Sequence, residues 1–154
     1  FTDIGIDLGT ANVVIYGKQK GVVVNEPSVT AINRKTNRMM AVGDEAKKML
    51  ARTPAHIEVI RPLVSGVLAD FEMTQELLRH FFKHLGSSSL FGFRRAVLAI
   101  PDGLTEVERK SVEDAALNAG CSRVYLVESP VAAALGANLP IHSPAASLII
   151  DIGG

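Results

Sequence analysis

The stretch Ile4-Gly5-Ile6-Asp7-Leu8-Gly9-Thr10-Ala11-Asn12 decides how this chain is read. An apolar run ends in an acid, a glycine follows two residues later, and Val13-Val14-Ile15-Tyr16 begins a second β-rich run at once. Two such runs separated by turn residues read as a hairpin, and Val22-Val23-Val24 extends it to an antiparallel meander. Gly9 lets the backbone come close to a ligand. Successive amides in a turn of this kind form a concave donor site for phosphate oxygens, Ala11 and Asn12 included, and the Thr10 hydroxyl adds a bond. Asp7, at the strand end, suits Mg²⁺ held through water, because Mg²⁺ keeps several waters and takes one or two carboxylates. The competing reading is an ordinary hairpin turn without a ligand.

Working outward, the far end of the chain repeats the pattern. Leu148–Ile150 reads as a last strand and leads into Asp151-Ile152-Gly153-Gly154. Two strand-Asp-x-Gly turns suggest two hairpins gripping one polyphosphate from opposite sides.

Between them, Val29–Ile32 reads as a further strand. Residues 33–66, with a short helix near 44–51 and Pro54 and Pro62, read as a small inserted subdomain. Asp70 is a candidate N-cap for a helix carrying Met73, Leu77, Leu78, Phe81, Phe82 and Leu85 at helical spacing, with Gly86 as its stop. Ala96–Ile100 reads as a buried strand. Thr105 and Glu108 form a capping box for a helix that Gly120 ends. Val124–Val127 is the next strand, and Ser129 before Pro130 is placed to cap a helix over Val131–Ala137. A meander followed by alternating helices and strands argues for an α/β domain with a mixed sheet covered by helices.

Composition narrows the function. The 154 residues suit one domain, and 47% hydrophobic with 21% charged residues excludes a disordered chain. Zero net charge without a basic stripe argues against a nucleic-acid partner. The single cysteine, Cys121, has no internal disulfide partner and reads as a packing residue. No apolar run reaches the ~18–20 residues of a membrane-spanning helix, and no signal peptide is recognisable. The chain starts at Phe1 and stops directly after a predicted strand, which reads as a fragment.

The chain resembles the actin and sugar-kinase superfamily, and more closely the bacterial rod-shape-determining MreB family. The matching stretches are Ile4–Asn12, Lys20–Val29, Arg61–Phe71, Ala132–Pro140 and Ile149–Gly154. The resemblance implies an actin-like ATPase fold of ribonuclease H-like type: a mixed five-stranded sheet flanked by helices, with a small inserted α/β subdomain. Residues 1–32 and 67–140 would be the larger subdomain of domain I, 33–66 its small subdomain, and 141–154 the start of domain II. ATP and Mg²⁺ would lie between the domains. Gly9, Thr10, Ala11 and Asn12 match the first phosphate loop and Gly153 and Gly154 the second, with Asp7 and Asp151 holding Mg²⁺ through water. The implied protein polymerises with itself and lies in the cytoplasm on the inner face of the cytoplasmic membrane. There it serves the cell-wall synthesis machinery.

One departure concerns catalysis. The family reads Glu-Glu-Pro where this chain has Glu128-Ser129-Pro130, and the acid beside the proline is credited with orienting the attacking water. Serine is shorter and a poor base, while Glu128 on a strand would face the other way. Weak or absent hydrolysis with nucleotide binding retained is the expectation. Leu90 and Phe91, in a polar loop before Arg94 and Arg95, suit insertion into an anionic membrane surface and match the family's membrane-inserting loop. Two other classes stay open: a small-molecule kinase or phosphatase of the same superfamily, and a metal-dependent nuclease built on Asp7, Asp70 and Asp151. His80 and His84, four apart on a helix, have a metal-binding spacing but no evident third ligand.

Overall fold

The computed structural model describes residues 3–50, 54–85 and 95–153. In chain order the elements are β1 (Asp3–Leu8), β2 (Asn12–Gly17), β3 (Gly21–Pro27), β4 (Thr30–Asn33), β5 (Arg38–Val42), α1 (Gly43–Met49), β6 (Ile57–Ile60), β7 (Leu63–Val64), β8 (Val67–Leu68), α2 (Phe71–His84), β9 (Arg95–Ile100), α3 (Glu106–Ala119), β10 (Val124–Glu128) and α4 (Ser129–Gly136).

The predicted meander is present and opens a five-stranded mixed sheet of order β10-β9-β1-β2-β3. β1 sits at its centre, antiparallel to β2 and parallel to β9, with Ile6 opposite both Ile15 and Leu98. Period-two alternation sends Ile4, Ile6 and Leu8 of β1 to one face, where all are buried. There they join Val13, Ile15, Leu98 and Ile100 in one core with Leu77, Leu78, Phe81 and Phe82 of α2 and Val112 and Ala116 of α3. α2 starts where Asp70 accepts a hydrogen bond from Met73 N, 3.0 Å away. α3 starts at the predicted capping box: the Thr105 hydroxyl accepts from Glu108 N and the Glu108 carboxylate accepts from Thr105 N. Gly120 ends α3 at φ +128. Cys121 packs in the same core, and burial pushes its thiol up to about 12, which leaves it inert at neutral pH.

A second, three-stranded sheet of order β5-β4-β6 packs with α1 around Val29, Ala31, Ala41 and Ala46. This small α/β unit begins at Thr30, because β4 pairs with β5 and β6 and not with the meander. β7 and β8 form a two-stranded hairpin whose turn residues, Ser65 and Gly66, both have positive φ, as a tight two-residue hairpin loop requires.

Two expectations are corrected. The strand expected at Leu148–Ile150 does not form; residues 146–153 have no regular structure, and Leu148, Ile150 and Ile152 are 80%, 73% and 91% exposed. A strand exists through a neighbour's amides and carbonyls, and among the described residues no strand lies beside this segment. The last helix begins at Ser129 rather than Val131, with Glu128 at its N-cap position. Ser129 therefore caps nothing: its hydroxyl donates instead to Ile100 O, 3.0 Å away at the end of β9. The predicted helix stop Gly86 lies outside the described residues.

Candidate functional site

β1 and β9 run parallel, so their carboxyl ends open on the same side of the large sheet. Crevices outside the carboxyl ends of parallel strands are where α/β sheets bind ligands. Here the turn after β1, the Pro101-Asp102 turn after β9, the β7–β8 turn and the start of α4 surround a cavity of about 480 Å³. Its lining brings together Asp7, Gly9, Thr10, Ala11, Asn12, Ser129, Asp151 and Gly153. Glu128 is not among the lining residues. Gly154, Leu90 and Phe91 lie outside the described residues.

The turn after β1 is built of backbone. A Cβ on Gly9 would stand 2.7 Å from Asn12 O, so no other residue fits this loop without moving it. Its hydrogen bonds run through its carbonyls: Gly9 O accepts from Ser28 Oγ at 2.5 Å, and Ala11 O accepts from Ser28 N at 2.9 Å. Among the described residues no acceptor meets the amides of Thr10 and Ala11. The Thr10 hydroxyl accepts from Gly66 N at 2.9 Å, so the β7–β8 turn is pinned to this loop.

The cavity is acidic as well as rich in donors. Asp7 is solvent-exposed at the edge of the cavity, yet its carboxyl titrates above its ordinary value, first because the cavity walls strip part of its solvation and second because Asp151 lies near it. Two carboxylates facing one space are what a divalent cation would relieve. Backbone donors for phosphate beside a pair of acids for a cation are the donor set that a metal–polyphosphate needs. The residues present fit such a ligand.

Sequence reading missed Ser28, Ser65, Gly66 and Asp102. Asp102 carried a usable signal, since Ala96–Ile100 followed by Pro101-Asp102-Gly103 again puts an acid and a glycine after an apolar strand. Ser65-Gly66 between two apolar pairs is a hairpin signal too short to stand out. Ser28 had none, because its partners are 17 and 19 residues away.

The sequence model of the MreB/Mbl protein family matches residues 1–154. The chain belongs to this family. Among its MreB/Mbl relatives, it is 48% identical over 152 residues to the cell shape-determining protein Mbl of Bacillus subtilis and 46% identical over 157 residues to the cell shape-determining protein MreB of Escherichia coli. Each alignment covers 99% of this chain but only 46% and 45% of the relative, so the chain spans about half the length of these proteins. MreB5 of Spiroplasma citri bound to ADP superposes with a TM-score of 0.83 at 42% identity, over 92% of this chain and 42% of that one. The same protein bound to AMPPNP matches equally well, over 43% of its length. A MamK double helical filament shares the fold at a TM-score of 0.71 and 21% identity, over 88% of this chain and 43% of that one. The fold is thus actin-like, with the expected mixed five-stranded sheet flanked by helices.

Within this MreB/Mbl chain the other candidate residues have structural tasks. Asp70, third acid of the nuclease reading, uses its carboxylate to cap α2 and does not line the cavity. His80 and His84 stack with ring centroids 4.3 Å apart beside Glu26 and Glu45, and the described residues contain no group of three arranged to hold a metal ion. No helix among the described residues is long and apolar enough to cross a membrane.

Proposed function

We propose that this chain forms one wall of an ATP site in an actin-like, filament-forming protein that determines cell shape. The observation carrying the reading is the phosphate-loop geometry: carbonyls tied back to Ser28, the amides of Thr10 and Ala11 without an acceptor among the described residues, and Asp7 and Asp151 on the same cavity. The MreB5 structures bound to ADP and AMPPNP support it.

In this reading the backbone of Gly9–Asn12, with Gly153 and Gly154, holds the phosphates. Asp7 and Asp151 would hold Mg²⁺ through water, which would supply positive charge against the phosphates. Ser129 lines the cavity where the family carries an acid, but its proton is committed to Ile100 O and its oxygen is a far weaker base than a carboxylate. Hydrolysis is therefore slow while binding is retained. Polymerisation with itself, cytoplasmic location, attachment to the inner membrane face through Leu90 and Phe91, and service to the cell-wall synthesis machinery complete the proposal. A single loop with two apolar side chains binds a membrane weakly, and a filament presenting many of them binds through avidity.

The test is sedimentation of the full-length protein with and without ATP, with phosphate release followed in the same tube. Pelleting with slow release is expected, and Ser129→Glu should speed the release. Absence of pelleting in every nucleotide and lipid condition would overturn the filament reading. Flotation with anionic liposomes that survives replacement of Leu90 and Phe91 by serine would remove the membrane loop.

A further inference from the structure

The buried serine behind the phosphate loop does more than hold the loop's carbonyls. Ser28 is fully buried, and both of its hydrogen-bond donors serve the loop: Oγ to Gly9 O and N to Ala11 O. In a trans peptide unit the N–H points opposite the C=O. Turning the Gly9 carbonyl toward Ser28 therefore turns the Thr10 amide away from it, and fixing the Ala11 carbonyl does the same for the Asn12 amide. Thr10 and Asn12 both line the cavity. One side chain and one amide thus set the direction of two candidate phosphate donors that Ser28 never touches.

The segment Glu26-Pro27-Ser28-Val29 that carries this serine also reaches the small α/β unit. Val29 O accepts from Gly43 N at 2.9 Å, and the Glu26 carboxylate accepts from Asp44 N at 3.2 Å, so both ends of the segment hold the first residues of α1. Glycine suits this place because residue 43 has φ +62, a backbone conformation that other residues rarely adopt. Between these ends the segment is short and stiff, because Pro27 fixes its own φ and its carbonyl accepts from Val29 N at 2.9 Å. A shift of α1 against the large sheet cannot be absorbed without moving Ser28.

We infer that Glu26-Pro27-Ser28-Val29 is a strap that aims the phosphate-loop amides and couples their direction to the position of the small α/β unit, with Ser28 as its positioning residue. This rests on the proposed phosphate site. Coupling of this kind is reciprocal: whatever fixes the loop also fixes α1.

The experiment measures ADP and adenosine affinities of the full-length protein, wild type against Ser28→Ala, Ser28→Cys, Glu26→Gln and the Ser28→Ala/Glu26→Gln double variant. Ser28→Ala should weaken ADP about tenfold, the scale of one lost buried hydrogen bond, and leave adenosine within about twofold. Ser28→Cys, nearly the same size with a weak donor, should fall between. In nucleotide-free protein, hydrogen exchange of the amides at 9–12 should quicken in Ser28→Ala. Glu26→Gln should weaken ADP less, and its effect should shrink in the Ser28→Ala background because the transmission is already cut. Equal losses for ADP and adenosine, or none for either, would overturn the positioning role, and strictly additive losses would overturn the coupling. Wild-type protein that binds no ADP would sink the phosphate site itself, an outcome distinct from failure of the strap.

Discussion

The turn after β1 and the turn at Asp151 are written in nearly the same local code, and they end in opposite physical states. Ile4-Gly5-Ile6-Asp7 is a central strand with Ile4 and Ile6 buried, whereas Leu148-Ile149-Ile150-Asp151 has no ladder, and Leu148 and Ile150 are mostly exposed. Composition does not separate them. Neighbours do: β1 has β2 on one side and β9 on the other, and the later run has none among the described residues. An apolar run followed by Asp and Gly therefore specifies a capacity to be a strand, and pairing decides whether it becomes one.

The sharpest way to break this comparison is to truncate one apolar side chain on each side of it. Leu98, fully buried on β9 between β1 and β10, should lose roughly 2–5 kcal/mol on replacement by alanine, through lost transfer energy and the cavity left behind. Ile150→Ala in this chain should change stability by no more than about 0.5 kcal/mol, because the side chain already faces water. Urea midpoints of the two variants decide the matter. Comparable losses would mean that Ile150 is packed and the comparison false.

A signal satisfied within a few residues should fall between these extremes. The Thr105–Glu108 capping box closes on itself at the start of α3 and needs no distant partner. Thr105→Ala should destabilise by about 1 kcal/mol, the usual value of a lost cap, measured by the same urea midpoints. A neutral outcome would show that α3 is held by its buried face alone.

This ranking also explains what could be read in advance. The meander, α2 with its Asp70 cap, α3 with its capping box and the mixed sheet were legible because each rests on periodicity or a closed local motif. Gly9, Thr10 and Ala11 were legible as a tight turn for the same reason, with Asp7 in the strand before it and Asn12 opening the strand after it. What escaped depends on contacts distant in sequence. Ser129 looked like a cap from its place before Pro130, yet its hydroxyl turns to Ile100 O, 29 residues earlier. Ser28 acts on a loop 17 to 19 residues before it, and Gly66 on Thr10, 56 residues before it. No pattern within either short segment encodes those meetings.

The smallest effect tests whether the two turns meet at all. Asp7 titrates above its ordinary value of 3.8, first through partial desolvation and second through Asp151. An acid whose folded pKa is raised contributes stability that is fully present below 3.8 and is lost as pH rises through the folded value. Asp7→Asn should accordingly gain stability over wild type as pH climbs through that window, and lose whatever metal-binding role the carboxylate has. Asp151→Asn should lower the Asp7 titration midpoint only part of the way, since partial desolvation is the larger cause and both side chains are exposed, where solvent screens their mutual repulsion. NMR titration of the Asp7 carboxyl carbon reads this directly. A midpoint unmoved by Asp151→Asn would mean that the second turn does not reach the first in solution. A downward shift would mean that the two acids share one space even though the second run forms no strand.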